Sequence, residues 1–436
     1  LIRYNNGHYN NFSMNGPLST STFALYYYNN TILANAGGYN SSIQATYNYS
    51  GFYQFENQEK WVNYNRFNSN YPTIPDNVVS AYNPYDDSVY IGHFGAGLVS
   101  WNKSDKFIIH DTSNTILVTG IITGLDVDTK GTLWMSAWIC FDCDQTGGSV
   151  YSKTKKGVWT SYTLTQSYED KYLIQLKLDL RGNKWLRYGG SGLQYGLIVF
   201  NENGNQERHF SATDGLPDAV VNCIEVDKKG VVWIGTGKGL AGFYEPSQAF
   251  TGNFIKPIYN GFPILFDKNV TCIKSDGGNR KWVGTTEGLW LFNDDFSKAI
   301  SFFDVNNSPL YSNNIIALEI HELTGELFIA TDEGIISYRP DASEEQTDLK
   351  SAHIFPNPVK PDYAGLIAID GLQDNAVVKI TDTQGKLFYE TKATGGTATW
   401  NMVNYAGIKA ESGMYLVFVS TEDGGEKYVG KIAIVQ

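Results

Sequence analysis

The stretch Val226-Asp227-Lys228-Lys229-Gly230-Val231-Val232-Trp233-Ile234-Gly235-Thr236-Gly237-Lys238-Gly239-Leu240 decides how the chain folds. Before it, Val220-Val221-Asn222-Cys223-Ile224 is an apolar run fit for an inner strand. Asp227 can cap its own turn and Gly230 tolerates positive φ, so the pair closes a hairpin. A second strand then carries the bulky Trp233 into the space between sheets. The glycine-rich turn that follows leads to a third strand, Leu240 to Tyr244, and an outer strand follows in most units, as in Lys298 to Phe303.

The pattern recurs. Copies run from Val127 to Trp134, Leu178 to Trp185 and Ile273 to Leu289, with weaker ones around Tyr90 and Phe328 and the most degenerate at Asn30 to Leu33. The register residues Leu33, Tyr90, Trp134, Trp185, Trp233, Trp282 and Phe328 are spaced by 57, 44, 51, 48, 49 and 46 residues. Such a period belongs to propeller blades rather than to shorter solenoid repeats. Seven units of four strands predict an all-β chain containing a seven-bladed β-propeller over residues 1–340. The last unit, from Ile315 to Tyr338, shows only three strands. Residues 1–14 read as an orphan strand and are expected to complete that blade, removing an open edge. The start at Leu1, with neither Met nor signal sequence, reads as the later part of a longer protein.

Composition agrees. Aromatics make up 14% of the 436 residues, and aromatic side chains suit pleated sheets, while 44 glycines supply tight turns. The net charge of −12 argues against a nucleic-acid partner held by bulk electrostatics, and no apolar run is long enough for a membrane span.

An acidic linker, residues 341–350, separates a second composition. From Ser351 to Gln436, alternating apolar runs divided by Gly395-Gly396 and Gly424-Gly425 predict a small Ig-like β-sandwich of six or seven strands.

Chemistry-bearing motifs are sparse. The six histidines form no H-E-x-x-H metal motif, no G-x-S-x-G elbow occurs, and the glycine runs at 189–192 and 235–239 are turn glycines. Asp126 and Asp128 precede a hairpin, as Asp227 and Asp276 do, so their repetition is structural. Cys140 and Cys143 read as a loop disulfide or two free thiols, and Cys223 and Cys272 as small core residues. No catalytic residue, metal or cofactor is expected. Loops on the face shared by second-to-third-strand turns and blade-to-blade crossings are the expected binding surface. They offer His93, Phe94, Trp138, Tyr168, Arg187, Tyr188, Lys238 and Tyr311, aromatic rings for sugar stacking and cations for anionic groups. A lyase-type enzyme would draw on His93.

Four ordered blocks carry a family resemblance: Phe355-Pro356-Asn357-Pro358-Val359, Val378 to Lys386 with Gly385, Ser412-Gly413-Met414-Tyr415, and Lys431-Ile432-Ala433-Ile434. Together they resemble the carboxy-terminal sorting domain of the Bacteroidota type IX secretion system. The repeats resemble two-component-regulator propellers of the same phylum. The combination resembles a cell-surface component of that secretion machinery in which two propellers precede the sandwich. The resemblance implies an exported, non-enzymatic outer-surface protein. It would bind anionic lipopolysaccharide and present it to the sortase PorU, with PorV-type outer-membrane proteins as further partners. Two other readings are an exported propeller that binds glycan or protein and uses the sandwich as a removable address, and a sensor ectodomain.

Overall fold

Three Asp residues of the repeat hold their hairpins in the same way. Asp227 Oδ1 accepts the N–H groups of Lys229 and Val231, both at 2.9 Å, while Oδ2 accepts the Trp233 indole at 2.9 Å. Asp128 and Asp179 repeat the arrangement with Trp134 and Trp185. One carboxylate therefore satisfies two turn donors and a buried indole that would otherwise be costly. Gly131, Gly182 and Gly230 have φ near +80°, as this turn demands.

The structure is a computed structural model. It describes all residues except 1, 6–7, 12–14, 105, 140–147, 165–171, 190–194, 347–351, 421–425 and 436, and the side chains of all described residues except 2–5, 8–11 and 426. Seven antiparallel sheets follow one another along the chain. Their inner strands are Ala24–Tyr28, Asn77–Asn83, Ile122–Val127, Leu173–Leu178, Val221–Val226, Val270–Ser275 and Ile315–His321, which define blades 1 to 7. Each inner strand packs on the next, and the seventh packs on the first, so the ring is closed. Blade 7 meets blade 1 through Phe328 and Ala330 against Leu25, Ala34 and Tyr53. Among the described residues, blades 1, 2, 3, 4 and 6 have four strands and blades 5 and 7 have three. The register residues sit between blades, with Trp185, Trp233 and Trp282 almost wholly buried.

Among the described residues the strand pairing does not show the expected completion of blade 7. Ile2–Asn5 and His8–Asn11 pair with each other, and the blade 7 sheet ends at Gly334–Tyr338.

The second domain is a two-sheet sandwich of seven strands. One sheet orders Leu387–Lys392, Val377–Thr381, Gly413–Ser420 and Glu426–Ile434; the other orders His353–Phe355, Ile367–Asp370 and Ala398–Trp400. Its core joins Val378, Ile380, Trp400, Val417, Val419 and Ile432. The residues quoted as motif have structural work here. Asn357, between Pro356 and Pro358, donates to the Lys431 carbonyl at 2.7 Å and accepts from the Ala433 N–H at 3.0 Å, lining the edge of the last strand. Gly385 turns a hairpin at φ +82°, Gly413 starts a strand, and Tyr415 packs its ring on Trp400 and Phe388.

Candidate functional site

The inner strands converge on the propeller axis, where the beginnings of all seven surround a cavity of about 400 Å³. Its floor is set by register. Opposite Trp134, Trp185, Trp233, Trp282 and Phe328 stand Asp126, Lys177, Glu225, Lys274 and Glu319. The charges alternate from blade 3 to blade 7. Lys177 Nζ lies 3.6 Å from Asp126, and Lys274 Nζ 2.6 Å from Glu319, while Glu225 accepts the Ser275 N–H at 3.0 Å. Asp126 raises the Lys177 pKa. Burial works against the charge on Lys274, but Glu319 and Glu225 outweigh it and push that pKa up. Burial raises the Glu225 carboxyl above the usual range, against the pull of both lysines. Blade 1 contributes Tyr26, whose hydroxyl burial raises to about 12 despite accepting the Tyr82 N–H. A belt of alternating acids and lysines thus lines the channel, below a cup that opens toward the face with the second-to-third-strand turns.

Arg187 is the cation of the cup wall. It lies within the second strand of blade 4, Lys184–Tyr188, rather than on a loop. Its guanidinium donates to the Asn222 carbonyl on blade 5 and, at 3.4 Å, to the Tyr39 hydroxyl on blade 1. Phe23, Tyr39 and Phe94 make an aromatic rim, with ring centroids 4.8 Å and 5.3 Å apart.

Apart from Phe94 at the rim, the other expected binding residues do not gather there. His93 is fully buried, its Nε2 2.6 Å from the Tyr71 hydroxyl, and burial lowers its pKa to about 3. A neutral, enclosed imidazole neither pairs with an anion nor reaches substrate. Phe94 and Tyr188 are also buried, because neighbouring blades cover them. Trp138 is half-buried edge-on to Tyr172. Lys238 is exposed, 3.6 Å from Asp218, and Tyr311 is exposed beside blade 7. Tyr168, Cys140 and Cys143 lie outside the described residues. Cys223 and Cys272 are free thiols, and burial raises both pKa values, that of Cys272 to about 12. The sequence reading missed Tyr39, Gln175 and the charged belt. The belt was visible as one position of the repeat that alternates in sign.

The fold defines a class of architecture: a seven-bladed β-propeller followed by a small β-sandwich. The model of the "Secretion system C-terminal sorting domain" matches residues 353–435, and that of the "Two component regulator propeller" matches residues 215–238. Neither is a catalytic family, and the sorting domain marks an exported protein. Within that class, the chain is PorZ-like in fold. It is similar to PorZ, described as an essential surface component of the type-IX secretion system of Porphyromonas gingivalis. The identity is 23% and the TM-score 0.71, over 98% of this chain and 61% of that one. The extracellular domain of the hybrid two component system BT3049 of B. thetaiotaomicron is similar at 17% identity and TM-score 0.55, over 96% of this chain and 53% of that one. Virginiamycin B lyase from Staphylococcus aureus shares the propeller at 10% identity and TM-score 0.54, over 74% of this chain and 96% of that one. The chain therefore spans about three-fifths of the PorZ structure. No curated protein matches by sequence. No helix among the described residues is long and apolar enough to cross a membrane.

Proposed function

We propose that the chain is the propeller-and-sandwich portion of a PorZ-like, non-enzymatic component of the type IX secretion machinery at the outer-membrane surface. In this reading the propeller holds anionic lipopolysaccharide and presents it to the sortase PorU, which attaches it to arriving cargo, with PorV-type proteins alongside.

The observation that carries the reading is the junction before the sandwich. A removable address needs an accessible connecting segment. Here Ala342 and Ser343 are buried. Ser343 accepts the Gly396 N–H at 2.8 Å, and Gln346 donates to the Leu372 carbonyl at 2.7 Å. Arg280 holds Asp341 at 2.7 Å, and Lys228 holds Glu344 at 2.6 Å. Glycines 277 and 395 permit the contact, since a Cβ on either would strike the Ser343 carbonyl. A segment clamped from both domains supports a retained contact module over a cleaved signal.

Intact mass of the native protein from the outer-membrane fraction tests this. The expected species retains the sandwich through Gln436. A species cut within residues 341–350 and carrying added glycan would overturn the proposal and make the chain ordinary secreted cargo.

A further inference from the structure

The repeat breaks at one place on the cup wall. Two positions after the register residue, the second strands carry Asn35, Gly92, Ser136, Arg187, Gly235, Gly284 and Ala330. Packing explains the small residues. A Cβ on Gly235 would stand 2.6 Å from Val270 Cγ1, and one on Gly284 2.7 Å from Ile315 Cγ2. Blade 4 alone places a long cation there, and its side chain must leave the blade interface to reach over the mouth.

Among the described residues nothing balances that charge. Among the described residues no carboxylate lies within ion-pair distance of Arg187, and its Nε is buried without a partner. Gln175, directly opposite in the ladder, also lines the cavity, and its side-chain amide has no hydrogen bond among the described residues. An uncompensated, partly desolvated guanidinium is costly, so a repeat that offers glycine at this position has no packing reason to keep it. A guanidinium fork beside a free amide is a donor set for a carboxylate or phosphate. The belt acids do not oppose it strongly. Glu225 lies three residues beyond Asn222, about 10 Å deeper at the strand rise, and the belt lysines offset it. The cavity matches a sugar-sized group, and the rim of Phe23 and Tyr39 offers aromatic faces to its ring.

We propose that the propeller mouth binds one acidic sugar group, carboxylate or phosphate, with Arg187 as its anchor and Gln175 as the flanking donor. This rests on the reading of the propeller as a ligand platform and gives that platform an address.

Titration calorimetry at low salt tests it, with galacturonate and glucose 1-phosphate as acidic probes and galactose as the uncharged control. The unaltered chain is expected to bind at least one acidic probe in preference to galactose, and the better probe separates carboxylate from phosphate. Arg187→Ser installs the residue that blade 3 already carries. It is expected to keep or raise the melting temperature and to weaken the acidic probe at least tenfold. Equal affinity in the variant, or no acidic probe bound by the unaltered chain, would overturn the proposal. So would a variant that melts several degrees lower while binding unchanged, because Arg187 would then be structural. Lipopolysaccharide captured equally by Arg187→Ser removes this site and leaves the secretion reading standing. Probe binding without lipopolysaccharide capture does the reverse.

Discussion

Blades 4 and 5 are written in the same repeat and agree at their hairpin ends. Asp179 and Asp227 each cap a turn and accept a tryptophan indole, and Trp185 and Trp233 are both buried. At the mouth end they part. Blade 5 has the small, buried Cys223 opposite Gly235; blade 4 has the long polar Gln175 opposite Arg187, both facing the cavity. The hairpin end is fixed because each group there answers a buried donor. The mouth end is free to vary wherever a side chain can escape the blade interface, and variation there has a functional use.

The largest effect that would break the comparison is expected at the hairpin end. Asp227 has a partner that Asp179 lacks: Lys281, fully buried, with Nζ 3.0 Å away. Burial works to raise the Asp227 pKa, but Lys281 and the Trp233 hydrogen bond outweigh it and hold the carboxyl below its usual range. Asp227→Ala strands a buried ammonium, an indole and two turn donors, and is expected to cost about 3–5 kcal/mol in urea unfolding. Asp179→Ala, which strands no buried lysine of its own, is expected to cost about 1–3 kcal/mol. The carboxylate's contribution is present above the unfolded pKa and is lost as pH falls through the depressed folded value. Asp227→Ala is therefore expected to flatten the stability curve below about pH 4. Equal losses in the two blades would show that Lys281 contributes nothing.

A smaller effect tests crowding directly. Gly235→Arg copies the blade 4 residue into blade 5, where a Cβ meets Cys223 Sγ at 2.5 Å and Val270 at 2.6 Å. Overpacking of this kind costs about 1–3 kcal/mol, read as a fall in the urea midpoint. If the variant is as stable as the parent, small residues at this position are not a packing requirement, and the singularity of Arg187 loses its meaning.

Much of this was readable from sequence because local rules and repetition agree. The Asp and Gly of each hairpin, the register tryptophans and the period near 50 residues all point to the same blade, and the sandwich strands alternate cleanly. What escaped the reading depends on contacts between distant segments. His93 looks like a loop histidine until Tyr71 encloses it. Arg187 is visible as a break in the repeat, but its reach to Tyr39 spans 148 residues of chain. The clamp of Arg280 on Asp341 turns an apparent linker into part of the packing, though its acidic composition reads as solvated.

The smallest effect separates the cup from the rim that surrounds it. Lys238 is also a cation at the mouth end, and from sequence alone it stood level with Arg187. Its side chain is 63% exposed, and its ammonium lies 3.6 Å from Asp218, so its charge is already answered and screened by water. Lys238→Ala is expected to change stability by no more than about 0.5 kcal/mol. At physiological salt, where charges interact over about 8 Å, it is expected to alter acidic-probe affinity less than about twofold. Calorimetry of Lys238→Ala beside Arg187→Ser reads both on one scale. A loss in Lys238→Ala as large as that in Arg187→Ser would move the ligand from the cup to the outer loops of blade 5. Burial would then no longer distinguish a cation that anchors a ligand from one that merely decorates the rim.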